Sequence, residues 1–392
     1  MAVWLTLVIS SHTAPVDSPL MSPDSETVLA IGNPNAGDGS GIDIIEKYVL
    51  PLLRAAEVSC DYHQTTTAQH AGGLARRHLT GSAAPIIVAG GDGTVHDILN
   101  FLFLDSLATA NAREAHVGYP LSLILIPAGT ANAIYASFWP PSPSEILSHS
   151  LLPRDVPPEI AYKLQSVLSF IEKKASPYPL SIALAQIYPT NSNSAPKGDP
   201  SSRMISCVVA STSLHAGILH SAEKYRSSLP GIERFKVAAG ENIRKWSNAR
   251  VELLPISSRD PVLKYDPTQK HLAPYSEGSV SLDGPFFYFL STINVDRLEP
   301  QFVITPLAKT SPLGSEGTFD VIVVRPARKP KYGGNTDEEK AALAQVAMEW
   351  FSQVYKGGEH IHYAYPAEDG ADPVYTTEYF RVGGWNWLPE VC

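Results

Sequence analysis

The clearest chemical motif in the sequence is a glycine-rich pentapeptide with an acid at its centre. It follows an apolar run at 85–89, which predicts a buried strand, and it precedes a predicted helix over 95–104. Glycines allow a tight turn and a close approach to a ligand, and the first amides of the following helix favour an anion such as phosphate. The acid would hold Mg²⁺ or accept a proton from an attacking hydroxyl; the alternative is a plain turn in which it caps the helix. The motif consists of Gly90, Gly91, Asp92, Gly93 and Thr94.

Two more loops of similar composition follow other predicted strands. One comes after residues 27–32 and the other after residues 121–126. Each loop alone would be ordinary turn chemistry. Three such loops in one α/β domain predict a ligand site, because open α/β sheets bind ligands outside the carboxyl ends of their strands. The candidate binding residues in these two loops are Asn33, Pro34, Asn35, Gly37, Gly129, Thr130 and Asn132.

The segments around these motifs alternate between strand and helix. This alternation is typical of a parallel sheet in an α/β domain. The predicted strands are 27–32, 58–64, 85–89 and 121–126, and the predicted helices are 42–57, 67–79 and 95–104.

The second half of the chain is strand-like and divided by polar or proline-rich loops. This pattern predicts an antiparallel, sandwich-like β domain. The predicted strands are 180–188, 204–211, 250–254, 278–295, 302–306 and 319–325, with a late helix over 337–355 that Thr336 caps. Its apolar stripe indicates core packing.

The predicted organisation is therefore α/β plus β. An N-terminal parallel α/β nucleotide-binding domain precedes a C-terminal antiparallel β-sandwich-like domain. The segments are a flexible leader at 1–24, the α/β domain at 25–145, a helical and proline-rich connection at 146–178, and the β-rich domain at 179–392.

Composition limits the functional classes. The length of 392 residues favours two domains, and the net charge of −9 argues against a nucleic-acid partner. Cys60, Cys207 and Cys392 form no recognisable disulfide framework, which favours a reducing, cytoplasmic setting. The apolar run 2–9 is far shorter than the roughly 20 residues that span a bilayer, so we expect any membrane contact to be peripheral.

Taken together, the three loops resemble the catalytic domain shared by diacylglycerol kinases, sphingosine kinases and ceramide kinases. The resemblance rests on GGDGT, on the preceding NPxxGxG and on the following PxGTxN, and it extends from about Val28 to about Arg325. It implies an ATP-dependent lipid kinase that uses ATP and Mg²⁺. Asp92 would activate the lipid hydroxyl, and the β-rich domain would enclose the lipid chain.

The resemblance assigns further residues. Thr65 and Gln69 fall in the family's second nucleotide-contacting segment, and Asp97 falls where related enzymes carry an acid near ATP. Arg226 and Arg234 resemble the two arginines that reach the nucleotide phosphates in sphingosine kinases, a role that suits the planar, permanently charged guanidinium. Without the resemblance, these two would be taken as surface residues of a helix.

Two departures from the family pattern leave alternatives open. Leu219 stands where sphingosine kinases place the acid that recognises the substrate. The three loops and the segments of Arg226 and Arg234 make a sphingoid base the first expectation, while Leu219 favours the alternative, diacylglycerol or ceramide. NAD kinase and an inactive truncated form are further alternatives. The family's terminal Asp-Gly-Glu turn is missing, since Asp369-Gly370 lacks the following acid. Either the last strand is missing, which would expose a sheet edge, or the terminus belongs to a lineage with a shorter one. His360 and His362 would share one face of a strand without a third ligand, so the metal ligands are unknown.

Overall fold

The computed structural model describes the chain in eleven segments. The described residues are 2–10, 27–80, 84–109, 121–141, 151–153, 155–175, 178–190, 200–229, 231–310, 317–366 and 371–390, and side chains are not described at 2–10, 106–109, 189–190 and 309–310.

Strands and helices follow one another along the described residues. The strands are β1 Ala2–Ser10, β2 Val28–Gly32, β3 Cys60–Gln64, β4 Ile86–Gly90, β5 Leu123–Pro127, β6 Ile182–Thr190, β7 Ser202–Ser206, β8 Val209–Thr212, β9 Ala249–Leu254, β10 Val262–Asp266, β11 His271–Ser276, β12 Val280–Asp283, β13 Tyr288–Thr292, β14 Phe319–Val324, β15 Glu378–Val382 and β16 Gly384–Pro389. The helices are α1 Ser40–Ile44, α2 Leu50–Ala55, α3 His70–Leu79, α4 Asp92–Thr109, α5 Ala133–Phe138, α6 Pro158–Lys163, α7 Gln165–Ile171, α8 Ser213–Glu223, α9 Glu233–Asn242 and α10 Asp337–Val354. A π-helical segment, Ile45–Val49, joins α1 to α2.

The first half is built on a four-stranded parallel sheet. Its strand order is β3-β2-β4-β5. The central strands β2 and β4 are fully buried, as expected for a parallel sheet that is covered on both faces. The strands, and the helices between them, confirm the predicted α/β organisation.

Helices cover both faces of this sheet. On one face α1, α2 and α7 pack against β2, β4 and β5, where Leu164, Val167 and Leu168 are buried. On the other face α3, α4 and α5 form a second cluster. Ser166 Oγ in α7 also donates to Leu125 O, 2.5 Å away. Residues 158–171 therefore belong to the α/β core, which corrects the predicted connection at 146–178.

The second half contains two six-stranded antiparallel sheets that pack face to face. One has the order β12-β9-β16-β1-β6-β7 and the other β11-β10-β15-β14-β13-β8. Aromatic side chains fill the space between them; the rings of Phe289 and Trp385 lie 4.9 Å apart. The predicted β-sandwich is confirmed.

The predicted strands 204–211 and 278–295 each divide into two. Residues of the first form β7 and β8, and residues of the second form β12 and β13; in each case the two strands lie in different sheets. The predicted strand 302–306 is wrong. Its backbone groups bond locally, with Phe302 N donating to Glu299 O and Thr305 N to Asp296 O, and a 3-10 turn begins at Pro306.

The N-terminal residues 2–10 are a strand, which corrects the expected flexible leader over that part. β1 lies between β16 and β6 and pairs with both; Leu5 is opposite Trp387 on one side and Ile187 on the other. An apolar run satisfies its backbone groups by such pairing, but its partners are far away in sequence. Residues 11–26 lie outside the described residues.

The late helix α10 covers the outer face of the second sheet. Thr336 Oγ1 accepts from Glu339 N at 3.2 Å, which confirms the predicted cap. Leu343, Trp350 and Val354 are buried against that sheet, which confirms that the apolar stripe packs in the core.

The last described strand, β16, lies inside a sheet. β16 has neighbours on both sides, β9 and β1, so the last described strand is not at an edge. Asp369 and Gly370 lie outside the described residues. Among the helices described, none is both long and apolar enough to cross a bilayer.

Candidate active site

The three predicted loops leave the same edge of the parallel sheet. Gly32 at the end of β2 is level with Ala89, and Gly90 at the end of β4 is level with Pro127 at the end of β5. The sequence predicted this convergence from the strand positions alone.

The loops pack against one another through their main chains. Ala128 N donates to Gly90 O at 3.0 Å. A Cβ added to Gly129 would lie 2.4 Å from the Cα of Gly91, and one added to Gly37, where φ is +57°, would lie 2.3 Å from Ala128 O. Both glycines are therefore required by close backbone approach.

A polar network joins the loops after β2 and β3 to helix α4. Asn33 Nδ2 donates to Thr94 Oγ1 at 2.9 Å. Asn33 Oδ1 accepts from Asn35 N at 3.0 Å and from Thr65 Oγ1 at 3.3 Å. Thr65 and Thr94 are both buried, so this network holds the two loops and the start of α4 in fixed positions.

Asn132 closes the third loop on itself. Its Oδ1 accepts from Gly129 N at 2.8 Å and its Nδ2 donates to Gly129 O at 2.7 Å. Its φ of +57° lies in the left-handed region, which asparagine tolerates better than most residues. The loop is thereby held in a turn that leads directly into α5.

Asp92 links two helices at the centre of the site. It is the first residue of α4, but its carboxylate accepts from Ala133 N at 2.7 Å and from Ile134 N at 3.1 Å, at the start of α5. The expected alternative, a cap on its own helix, is therefore not what the structure shows. Thr94 N and Val95 N donate to Gly91 O at 2.9 and 3.4 Å, so the amides at the start of α4 that remain for an anion are those of Asp92 and Gly93.

The pKa of Asp92 is raised by burial, while the two amide hydrogen bonds act in the opposite direction. A carboxylate with a raised pKa is a better proton acceptor than an ordinary aspartate. Its position and its basicity both suit a general base.

A strand from the second half lies along α4. Asn100 Nδ2 donates to Ile205 O at 2.9 Å, and Ile205 N donates to Asn100 Oδ1 at 2.7 Å. Cys207 is fully buried beyond Ile205; burial, together with the charge of Asp92, raises the pKa of its thiol to about 12. The contact between Asn100 and Ile205 was not predicted from the sequence, although an asparagine inside the apolar run of α4 is a visible anomaly.

Several predicted binding residues lie on the open side of the loops. Asp97 is exposed on α4, and Gln69 is exposed with a φ of +63° just before α3. The residues Pro34, Asn35, Gly37 and Gly93 are exposed, and Thr130 is half-buried. Their ligand contacts stay predictions.

Arg226 and Arg234 lie by α8 and α9 of the second half. Arg226 is exposed and pairs with Glu223, with Nε 3.0 Å from the carboxylate. Arg234 is buried with its guanidinium over the ring of Phe235, and its Nε has no hydrogen-bond partner among the described residues. Neither guanidinium bonds to the three loops in the described part of the chain, so their nucleotide role stays a prediction. Leu219, on α8, is 42% exposed.

The two histidines singled out in the sequence lie in a 3-10 turn, Glu359–His362, rather than on a strand. His360 is fully buried with its ring 5.1 Å from that of Trp350, and burial lowers its pKa to about 3. Within the described ranges, no group of three or more His, Cys, Asp and Glu side chains is placed to hold a metal ion.

Known proteins resemble this chain over part or nearly all of its length. Residues 27–157 match the family model of the diacylglycerol kinase catalytic domain. Sphingosine kinase 1 of Homo sapiens is 33% identical over 110 residues, which are 28% of this chain and 27% of that protein. Sphingoid long-chain bases kinase 1 of Arabidopsis thaliana is 29% identical over 127 residues, which are 31% of this chain and 16% of that protein. The matches thus span less than a third of these relatives. A crystal structure of a diacylglycerol kinase from Bacillus anthracis strain Sterne covers 93% of this chain and 87% of its own, with a TM-score of 0.44 and 15% identity.

Proposed function

Because residues 27–157 belong to the diacylglycerol kinase catalytic domain family, we propose that the protein is an ATP-dependent lipid kinase. It transfers the γ-phosphoryl group of ATP to a hydroxyl group of a sphingoid long-chain base. The observation that carries this proposal is the position of the Asp92 carboxylate, which is held by Ala133 N and Ile134 N where the three loops converge.

The chemistry assigns a role to each part of the site. The amides of Asp92 and Gly93 at the start of α4 and the glycine-rich backbone of the loops hold the phosphates of ATP. The lipid oxygen bonds to the γ-phosphorus while the bond from that phosphorus to the β–γ bridging oxygen breaks, and the hydroxyl proton passes to Asp92. Such a reaction depends on positioning and charge stabilisation more than on covalent chemistry.

The residues present fit a magnesium ion that arrives with ATP. Mg²⁺ is usually bound through substrate phosphates, waters and one or two carboxylates, so a dedicated cluster of protein ligands is not needed. The exposed Asp97 of α4 is the carboxylate that would hold it, because both oxygens of Asp92 already accept amide hydrogen bonds. When bound, it neutralises charge on the phosphates.

Arg226 and Arg234 would complete the nucleotide site from the second half. The buried Nε of Arg234 lacks a hydrogen-bond partner among the described residues, and buried polar groups are normally satisfied. A phosphate that binds this guanidinium would remove that deficit. Arg226, paired only with an exposed glutamate, is free to exchange partners at low cost.

Two observations favour different lipids. The names of the two curated relatives favour a sphingoid base. Leu219 favours a neutral lipid, either diacylglycerol or ceramide, because an exposed leucine cannot pair with the amine of a sphingoid base.

The test is the transfer of label from γ-³²P-ATP to sphinganine, ceramide, diacylglycerol and NAD, each with Mg²⁺. We expect labelled sphinganine phosphate as the main product. Labelled ceramide phosphate or phosphatidic acid would show that the lipid is ceramide or diacylglycerol instead. Labelled NADP would show that the protein is an NAD kinase. No labelled product from a well-folded chain would refute the kinase activity.

A further inference from the structure

A cluster of positive side chains surrounds one buried carboxylate at the end of the sandwich. Glu378, on β15, is 2% exposed. Arg325 donates to both of its oxygens, at 2.7 and 3.0 Å. Arg328 Nη1 and Lys264 Nζ lie 3.2 and 3.7 Å from Glu378 Oε1. The cluster therefore gathers residues from β10, from β15 and from the segment that follows β14.

The charges in this cluster do not balance. Three cations share one carboxylate, and among the described residues none of the three has a second acid within ion-pair distance. Their side chains are 18–32% exposed, so they reach solvent while Glu378 does not. Desolvation, opposed by Glu378 and assisted by the two arginines, lowers the pKa of Lys264, which is the direction expected where positive charge is in excess.

A buried hydroxyl without a partner lies beside the same charges. Tyr365 is 3% exposed, and within the described part of the chain its hydroxyl makes no hydrogen bond. Burial raises the pKa of Tyr365, and the charges of Arg328 and Glu378 also act on it, in opposite directions. Arg328 Nε is likewise buried without a partner. Buried polar atoms of native proteins are seldom left unsatisfied, so these two donors indicate a missing acceptor.

We propose that Lys264, Arg325, Arg328 and Tyr365 form a second binding site, which takes a phosphate group. Guanidinium groups bind phosphate oxygens through paired N–H donors, and an ammonium adds a point charge. The two positive charges in excess match a phosphate dianion, and the unused donors of Tyr365 and Arg328 match its oxygens. The site lies on the sheet that contains β10, β14 and β15, whereas Asp92 begins α4, which contacts β7 of the other sheet through Asn100.

The same phosphate chemistry occurs in free phosphate and in the headgroup of an anionic lipid. Calorimetric titration with inorganic phosphate tests the first source. Flotation with vesicles of phosphatidylcholine, with and without phosphatidic acid, tests the second. Binding in either arm supports the site and identifies its source, while binding in neither arm overturns the proposal.

The variant Lys264→Gln/Arg328→Gln locates the binding. We expect the phosphate-dependent binding of the wild type to weaken at least tenfold in this variant. The matched control is Lys47→Gln/Lys174→Gln, which also removes two charges but from exposed pairs in the first half, and it should bind as the wild type does.

Tyr365→Phe keeps the test decisive if the double variant does not fold. It removes one buried oxygen that has no hydrogen-bond partner among the described residues, so the fold should tolerate it. We expect its phosphate affinity to fall a few-fold. Wild-type affinity in Tyr365→Phe, or in a folded double variant, would overturn the proposal.

Discussion

In the α/β half, main-chain amides and short polar side chains face the candidate site from the ends of parallel strands, whereas the sandwich buries charged side chains in pairs within its packing. The contrast is clear between Asn33, whose amide joins two threonines beside an open edge, and Arg381, whose guanidinium bonds to Asp320 at 2.8 and 3.1 Å with both residues almost fully buried.

The two halves should therefore respond differently to substitution. Where the backbones of two loops are in contact, only small residues fit, and a larger residue there should reduce activity. A buried ion pair needs both partners, and removal of one partner should lower the free energy of unfolding. Three variants separate these two kinds of failure.

Arg381→Met should give the largest effect, a loss of stability. It leaves Asp320 buried without its partner, and such a change costs about 3–5 kcal/mol. Chemical unfolding measures it. The double variant Asp320→Leu/Arg381→Met should recover most of the loss because no unpaired charge remains; a double variant as unstable as the single one would show that packing, not charge, is responsible.

The control is Lys47→Met, which breaks an exposed pair with Asp43 and should cost less than about 1 kcal/mol.

Gly129→Ala should act on activity instead. The added Cβ would lie 2.4 Å from the Cα of Gly91, so the two loops must separate. A displacement of about 1 Å in a catalytic site can cost about 100-fold in rate, and we expect a loss of that size in kcat/KM. Gly240→Ala on α9 is the control because its Cβ meets nothing within 4 Å. Equal activity of the two variants would mean that close contact between the loops is not required.

Asn100→Leu tests the contact between the halves. Ile205 would lose both hydrogen bonds to the amide, and its backbone groups would be left unsatisfied. The expected cost is about 1–3 kcal/mol in the free energy of unfolding, together with a rise in KM for the lipid. Gln345→Leu, an exposed amide on α10, is the matched control and should change neither. A wild-type KM in Asn100→Leu would show that the fit of β7 against α4 does not shape the lipid site.

The loops of the first half could be predicted because their chemistry is local in sequence. A strand, a glycine-rich turn and a helix follow one another, so the placement of Asp92 and Asn33 at one sheet edge follows from strand order. The strand β1 could not be predicted, since its partners β6 and β16 lie about 180 and 380 residues away. The hydrogen bonds of Asp92 to α5 could not be predicted either, and neither could the cations around Glu378. Both join residues that are far apart in sequence.

The central claim is that Asp92 accepts the proton of the lipid hydroxyl, and Asp92→Asn tests it most directly. The measurement is the pH profile of kcat/KM for phosphoryl transfer, with ATP binding followed separately and Asp43→Asn, an exposed acid, as the control. In the wild type, activity should fall as pH is lowered through the pKa of Asp92, at a higher pH than for an ordinary aspartate because burial raises that pKa. Asp92→Asn should bind ATP but lose at least about 100-fold in turnover at every pH. A variant that retains turnover with the same pH profile would contradict the account.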